Sequence, residues 1–263
     1  MISLILAIAI GQMAAPTVPV EDARPVVSKF QAKEAEQGVA VDDKFIYVIG
    51  DSVIGKYDRK TNEKVGEYLG DPNGAIKHMN GGVVLGNRLY CSHSNFPETP
   101  MVSSIEIFDT KTLKHVGSQS FGLDAGSLVW VDWRGGYWWV CFGHYNGKGG
   151  EPGMTNDHTV LVKYDKEWRR LAGYAFPKEA IARWDGMTCS GGVWGKDGLL
   201  YCTGHHMPEI YVFKLPEAGA VLDMVKIVKS PVAGQGLAID NKAGQLFQMQ
   251  RKERSIYVFD WKL

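Results

Sequence analysis

The chain has 263 residues, 45% of them hydrophobic, and 29 Lys and Arg balance 29 Asp and Glu. That is enough apolar material for one large core, and all-β chains of this size commonly fold as a single domain. The charges are dispersed, with no Lys/Arg-rich run to track a phosphate backbone, which argues against nucleic acid as a partner.

The first ten residues, MISLILAIAI, form an apolar run too short to span a bilayer. Small residues follow at Ala9-Ile10-Gly11 and Ala14-Ala15, as at a secretory cleavage site, although no Lys or Arg precedes the run. Residues 1–15 therefore read as a signal peptide and 16–263 as one folded domain, secreted or periplasmic, monomeric, and without a stable membrane anchor once the signal is removed.

Arg24–Gln31 (RPVVSKFQ) has strand character and no neighbouring partner. A repeat begins after it. Five segments end alike: Ile54–Asp58 (IGKYD), Ile105–Asp109 (IEIFD), Leu161–Asp165 (LVKYD), Ile210–Lys214 (IYVFK) and Ile256–Asp260 (IYVFD). Their aromatics Tyr57, Phe108, Tyr164, Phe213 and Phe259 are separated by 51, 56, 49 and 46 residues, a propeller-like period. Each copy opens with a short apolar strand, at Gln37–Asp42, Gly81–Leu85, Gly126–Asp132, Gly191–Trp194 and Gln235–Asp240. A turn and a second strand rich in β-branched and aromatic residues follow, then the aromatic-ended third strand, then a more polar fourth such as Lys64–Leu69 or Lys114–Gln119. The fifth copy stops after its third strand. The expected fold is therefore all-β: a five-bladed β-propeller closed by the N-terminal strand, which completes the last blade and removes the open edge. Helical signal is confined to Pro177–Trp184.

Of the four cysteines, Cys91, Cys141 and Cys202 share one position in three copies, which predicts three separate structural units and no bridges among them. They read as small buried apolar residues. Cys189 lies near Cys202 in its own copy and could pair with it. No C-x-x-C exists.

In an up-and-down meander, the end of strand two and the starts of strands one and three share one face of the ring. That face collects Gln37, Asp51, His78, Asn80, His93, Asn95, His144, Asn146, His158, Asp185, Ser190, His205, His206, Gln235 and Arg251, including six of the seven histidines. The two longest insertions, Asn95–Ser104 and Asn146–His158, fall there too, as lids and binding loops do. His78, His93, His144 and His205 are the candidate ligands of a divalent Zn, Mn or Fe. The competing reading makes them acid–base groups or backbone partners without metal, since no H-E-x-x-H fixes a geometry. His205 or His144 is the candidate base, and Arg251 the clamp for a substrate carboxylate. Asn80, Asn95, Asp185 and Gln235 are candidates to contact substrate polar groups, and Tyr145, Phe96 and Trp184 to pack on a ring. No G-x-S-x-G or G-x-G-x-x-G is present, and Asp185 is the one acid among the inner-strand starts, against the two facing carboxylates of a glycosidase.

The run QGVAVDDKFIYVIGDSVIGKYDRKTNEKV resembles the blade of bacterial exported propellers of the lactonase-like and glutaminyl cyclotransferase type. The segments HMNGG, CSHSN, SGGVWGKDGLLY and GQG are similar to bacterial propellers labelled cycloisomerases. The cyclotransferases continue strand two into Glu-Ser where this chain reads Ile49-Gly50-Asp51, so no catalytic residue carries over. The resemblance implies a propeller; activity must come from the site. The expected activity is lyase or cycloisomerase-type proton abstraction on a small carboxylated or cyclic substrate. The alternatives are lactone or ester hydrolysis by the same groups, and a non-catalytic propeller that binds glycan or protein.

Overall fold

The computed structural model describes residues 18–71, 73–123 and 125–263; the predicted signal peptide lies outside them. The strands form five sheets. Blade 1 is β3 (Gly38–Val41), β4 (Phe45–Ile49), β5 (Val53–Asp58) and β6 (Lys64–Leu69). Blade 2 is β7 (His78–Leu85), β8 (Arg88–Ser94), β9 (Ser103–Asp109) and β10 (His115–Gly122). Blade 3 is β11 (Ser127–Arg134), β12 (Tyr137–Gly143), β13 (Val160–Tyr164) and β14 (Arg170–Ala175). Blade 4 is β15 (Gly191–Trp194), β16 (Leu200–Thr203), β17 (Glu209–Lys214) and β18 (Asp223–Lys229). Blade 5 is β19 (Leu237–Asp240), β20 (Gln245–Gln250) and β21 (Ser255–Asp260).

The missing strand of blade 5 is supplied by β2 (Val26–Gln31), antiparallel to β21 with Phe30 opposite Ile256. The molecule is a five-bladed β-propeller closed by its N-terminal strand, as the unpaired segment predicted. One strand was not foreseen: β1 (Val20–Glu21) adds in parallel to the outer edge of β18. The helix α1 (Lys178–Arg183) connects blades 3 and 4.

The core is not one mass. Five apolar clusters each fill one junction between adjacent blades. The repeat aromatics are distributed one to each: Tyr57 between blades 5 and 1, Phe108 between 1 and 2, Tyr164 between 2 and 3, Phe213 between 3 and 4, and Phe259 between 4 and 5. The period seen in the sequence is thus the period of the junctions, because a twisted sheet buries its faces only against its neighbours.

Trp130 packs in the junction between blades 3 and 4, against the inner strand of blade 4. It is 1% exposed, and a Cβ added to Gly192 of β15 would lie 2.2 Å from its indole, one added to Gly81 of β7 3.1 Å from its Cβ. Both glycines sit on inner strands that must pass close to this side chain. On the opposite side of the ring from the candidate site, the inner strands leave a narrow space of about 50 Å³, lined by Gly82, Val131, Asp132 and Gly192 among others.

The turn between β2 and β3 is fastened to blade 1 by Glu34. Its carboxylate accepts hydrogen bonds from Lys64 Nζ at 2.7 Å and Tyr57 OH at 2.5 Å. Burial opposes ionisation of Glu34, but these two donors outweigh it and hold the pKa below the ordinary glutamate value of 4.5. A group whose pKa is depressed on folding stabilises above its unfolded value and loses that contribution as pH falls through the folded one. The melting temperature is therefore expected to drop on acidification below 4.5. The gap between wild type and Glu34→Gln should be widest at neutral pH and close in acid; a gap independent of pH would refute this role.

Candidate functional site

A cavity of about 280 Å³ opens at the axis, on the face carrying the strand-two ends. Inner-strand starts contribute Gln37, Asn80, Ser190 and Gln235, all buried. Strand-two ends contribute Asp51, His205 and Arg251. The wall includes His78, Phe96, Pro97 and Tyr145, with Lys77 and Lys148 at the same opening.

A continuous hydrogen-bonded chain runs along one side. Arg251 Nε donates to the Glu36 carbonyl at 2.6 Å and its Nη2 to Gln37 Oε1 at 2.5 Å. Gln37 Nε2 donates to Asp51 Oδ1 at 2.6 Å. His78 Nδ1 lies 2.8 Å from the same oxygen. The chain fixes the Gln37 amide, orients the imidazole and, among the described residues, leaves His78 Nε2 as the nitrogen without a hydrogen-bond partner. Burial works against the charge on Asp51, but the bonds from His78 and Gln37 and the nearby Arg251 cation prevail, so its pKa is lowered.

Two polar atoms of cavity-lining residues are buried and have no hydrogen-bond partner among the described residues: Asn80 Nδ2 and His205 Nδ1. Buried groups of this kind cost free energy unless something else satisfies them. Desolvation, with smaller contributions from His206 and Arg251, pushes the His205 pKa down to about 4, so the ring is neutral at ordinary pH. Gln235 adopts a left-handed φ of +63°. Its carbonyl accepts from Thr203 Oγ1, and its N–H donates to the Gly204 carbonyl at 3.1 Å. The non-glycine strain is thus held in place beside the cavity.

The two insertions meet over the Phe96 side. Phe96 packs at 5.0 Å from the His78 ring and 4.9 Å from Tyr145. The Met101 N–H donates to Glu151 Oε1 at 2.9 Å, joining one loop to the other.

Of the candidates named from sequence, His78, Asn80, Tyr145, His205, Gln235 and Arg251 line the cavity, together with Phe96. The others do not. His93 accepts the Lys77 N–H on Nε2 at 2.9 Å and contacts Ser104 Oγ through Nδ1 at 2.8 Å. Ser104 in turn donates to Glu106 at 2.6 Å, so the proton on His93 is on Nδ1 and both nitrogens are spent. His144 is buried beneath the insertion, 3.7 Å from Glu151 and edge-on to His158. Asn95 holds its own loop by donating to the Pro100 carbonyl and accepting from the Val102 N–H. Asp185 faces a neighbouring depression with Asn146 and Asp157. Trp184 is buried against Phe176 and anchors the helix rather than a ligand. Among the described residues no three His, Cys, Asp or Glu side chains group as a metal would require. Of the four imidazoles named from sequence as candidate metal ligands, His78 and His205 line the cavity, while His93 and His144 are turned to local partners outside it.

Sequence reading missed the Asp51–His78 pair and the two lysines. A signal existed: Asp51, His144, His205 and Arg251 occupy matching places at the ends of second strands, so Asp51 is the blade 1 counterpart of the histidines.

No family model matches the chain, and no curated protein does. Solved structures similar to it include a chain of the mitotic checkpoint complex, at 9% identity, TM-score 0.47, with both chains fully covered. The hydrazine synthase of Kuenenia stuttgartiensis is 12% identical at TM-score 0.49, over 84% of this chain and 70% of that one. The β-propeller domain of Myceliophteria thermophila Cps50 (Swd1) is 7% identical at TM-score 0.47, over 85% and 83%. Nothing about the cavity follows from likenesses this distant.

Proposed function

We propose that the protein is an exported enzyme that abstracts a proton from carbon in a small carboxylated or cyclic substrate, in the manner of a lyase or cycloisomerase. The observation that carries this reading is the Arg251–Gln37–Asp51–His78 chain along the cavity wall. His78 is the base: with Nδ1–H bound to Asp51, Nε2 takes the proton, and the carboxylate stabilises the imidazolium that results. The pair replaces His205 and His144 as the first choice of base. The electron pair left on carbon moves onto the adjacent oxygen, where Asn80 Nδ2 and the neutral His205 ring supply hydrogen bonds. The proton returns to another carbon in an isomerisation, or the β-substituent leaves in an elimination. Arg251 supplies the cation for the substrate carboxylate.

Proton abstraction can be read before the substrate is known. The protein is incubated in D2O with hydroxy acids, unsaturated acids and lactones, and carbon-bound proton signals are followed by NMR. Loss of signal or conversion for one class, slowed in His78→Ala, is the expected result. A ligand that binds in the cavity and shows neither exchange nor conversion would make this a binding propeller instead.

A further inference from the structure

The charges around the axial cavity do not balance. Histidines aside, Arg251, Lys77 and Lys148 line it against a single carboxylate, Asp51. That carboxylate is already committed to the Gln37 amide and the His78 ring. Arg251 bonds only to neutral oxygens, the Glu36 carbonyl and Gln37 Oε1, and forms no ion pair among the described residues. Burial lowers its pKa, and the carboxylates of Asp51 and Glu36 offset this only in part. A half-buried guanidinium held by neutral acceptors attracts an anion. Asn80 Nδ2, buried and without a partner among the described residues, adds a donor inside the same cavity.

The second positive region lies away from the first. Arg251 follows the second strand of blade 5, and the side chains of Gln37 and Asp51 stand between it and His78 at the start of blade 2. Lys77 immediately precedes His78. Lys148 comes from the blade 3 insertion, at the second position of a turn closed by the Gly150 N–H on the Gly147 carbonyl at 2.7 Å. Gly149 takes a left-handed φ of +79°, as the third position of a type II turn requires. The turn is seated on the cavity wall, since a Cβ added to Gly149 would lie 2.3 Å from the Phe96 ring, which itself packs on His78. Every residue of this turn is glycine except the one that carries the charge. Lys148 is exposed and forms no ion pair among the described residues. Two separated cationic regions suit two separated carboxylates better than one compact anion.

We propose that the cavity selects small dicarboxylates, with one carboxylate on Arg251 and the other on Lys148, supported by Lys77 at the same opening. This inference rests on the reading of the cavity as the site of a small carboxylated substrate and names its class. A monocarboxylate leaves one positive region without a counterion, whereas a dicarboxylate neutralises both. Lys148 is then a specificity-determining residue, acting on the second carboxylate and not on the reacting atoms.

Binding is measured by calorimetry at low salt for succinate, glutarate and adipate, each against its monomethyl ester, a pair that differs by one charge. At least one diacid should bind about fivefold tighter than its ester, the upper range for an ion pair at an exposed lysine. The ratio should shrink as salt rises. Lys148→Gln should bring that diacid close to the affinity of its ester, Lys148→Arg should restore the preference, and Arg251→Gln should weaken diacid and ester alike. Because Lys148 is exposed, its variants should melt with the wild type. No diacid binding tighter than its ester, a preference that survives Lys148→Gln, or inorganic phosphate competing as well as the best diacid would overturn the proposal. Binding needs no turnover, so the two readings fail separately. A preferred diacid that shows no carbon-proton exchange in D2O overturns proton abstraction and leaves the selectivity standing; exchange on an acid and its ester bound equally well does the reverse.

Discussion

Trp130→Ala is expected to lower the unfolding free energy by about 3–5 kcal/mol, the usual cost of truncating a buried aromatic, read from the urea midpoint at unchanged slope. The side chain is 1% exposed, lies against Gly192 and Gly81, and donates to Cys189. Nothing nearby can collapse into its place without moving two inner strands. Gly192→Ala offers a sharper test. All three heavy atoms nearest to the added Cβ belong to Trp130, the closest at 2.2 Å, so this substitution alone should cost about 1–3 kcal/mol by overpacking. In the Trp130→Ala background the same substitution should cost little. The two losses must then be strongly non-additive. Additive losses would mean that Trp130 does not set the spacing of the inner strands.

His78→Ala and Asp51→Asn are expected to reduce kcat/KM by about 10²–10⁴-fold, the range spanned by positioned general bases. Removing the imidazole deletes the base itself. Asp51→Asn keeps the shape but removes the charge that stabilises the imidazolium and, through the single oxygen that accepts from both Gln37 and His78, the device that fixes the tautomer. The side chain of Asp51 is half exposed, so the melting temperature should move little while the rate falls. That split separates catalysis from scaffolding. His205→Ala should fall less, about 10²-fold, as for loss of one hydrogen bond to a developing oxyanion. Full activity in both His78→Ala and Asp51→Asn would sink the assignment.

The architecture was legible because it is written locally. Tyr57, Phe108, Tyr164, Phe213 and Phe259 mark one junction each, and the unpaired Val26–Gln31 strand had only the unfinished fifth blade to complete. The face of the site followed from alternation of strand direction, and seven of the named candidate residues reached one cavity. What stayed hidden depends on partners far away in the chain. His93, like His205, lies near the end of a second strand, yet the Lys77 N–H and Ser104 consume both its nitrogens. Register shifts at Met79–Gly82 and Leu128–Trp130 interrupt alternation on the two inner strands that supply Asn80 and Val129, so simple counting could not assign those side chains to a side.

By itself the sequence determined the blade, the number of blades, the closing strand and the face on which polar groups gather, because strand periodicity and turn chemistry are properties of neighbouring residues. Only the tertiary structure decided that His78 pairs with Asp51, that His93 and His144 stand outside the cavity and that Trp130 packs between blades 3 and 4 against Gly192. Those outcomes depend on how closely the blades approach and where the long insertions settle, which contacts between residues distant in sequence determine.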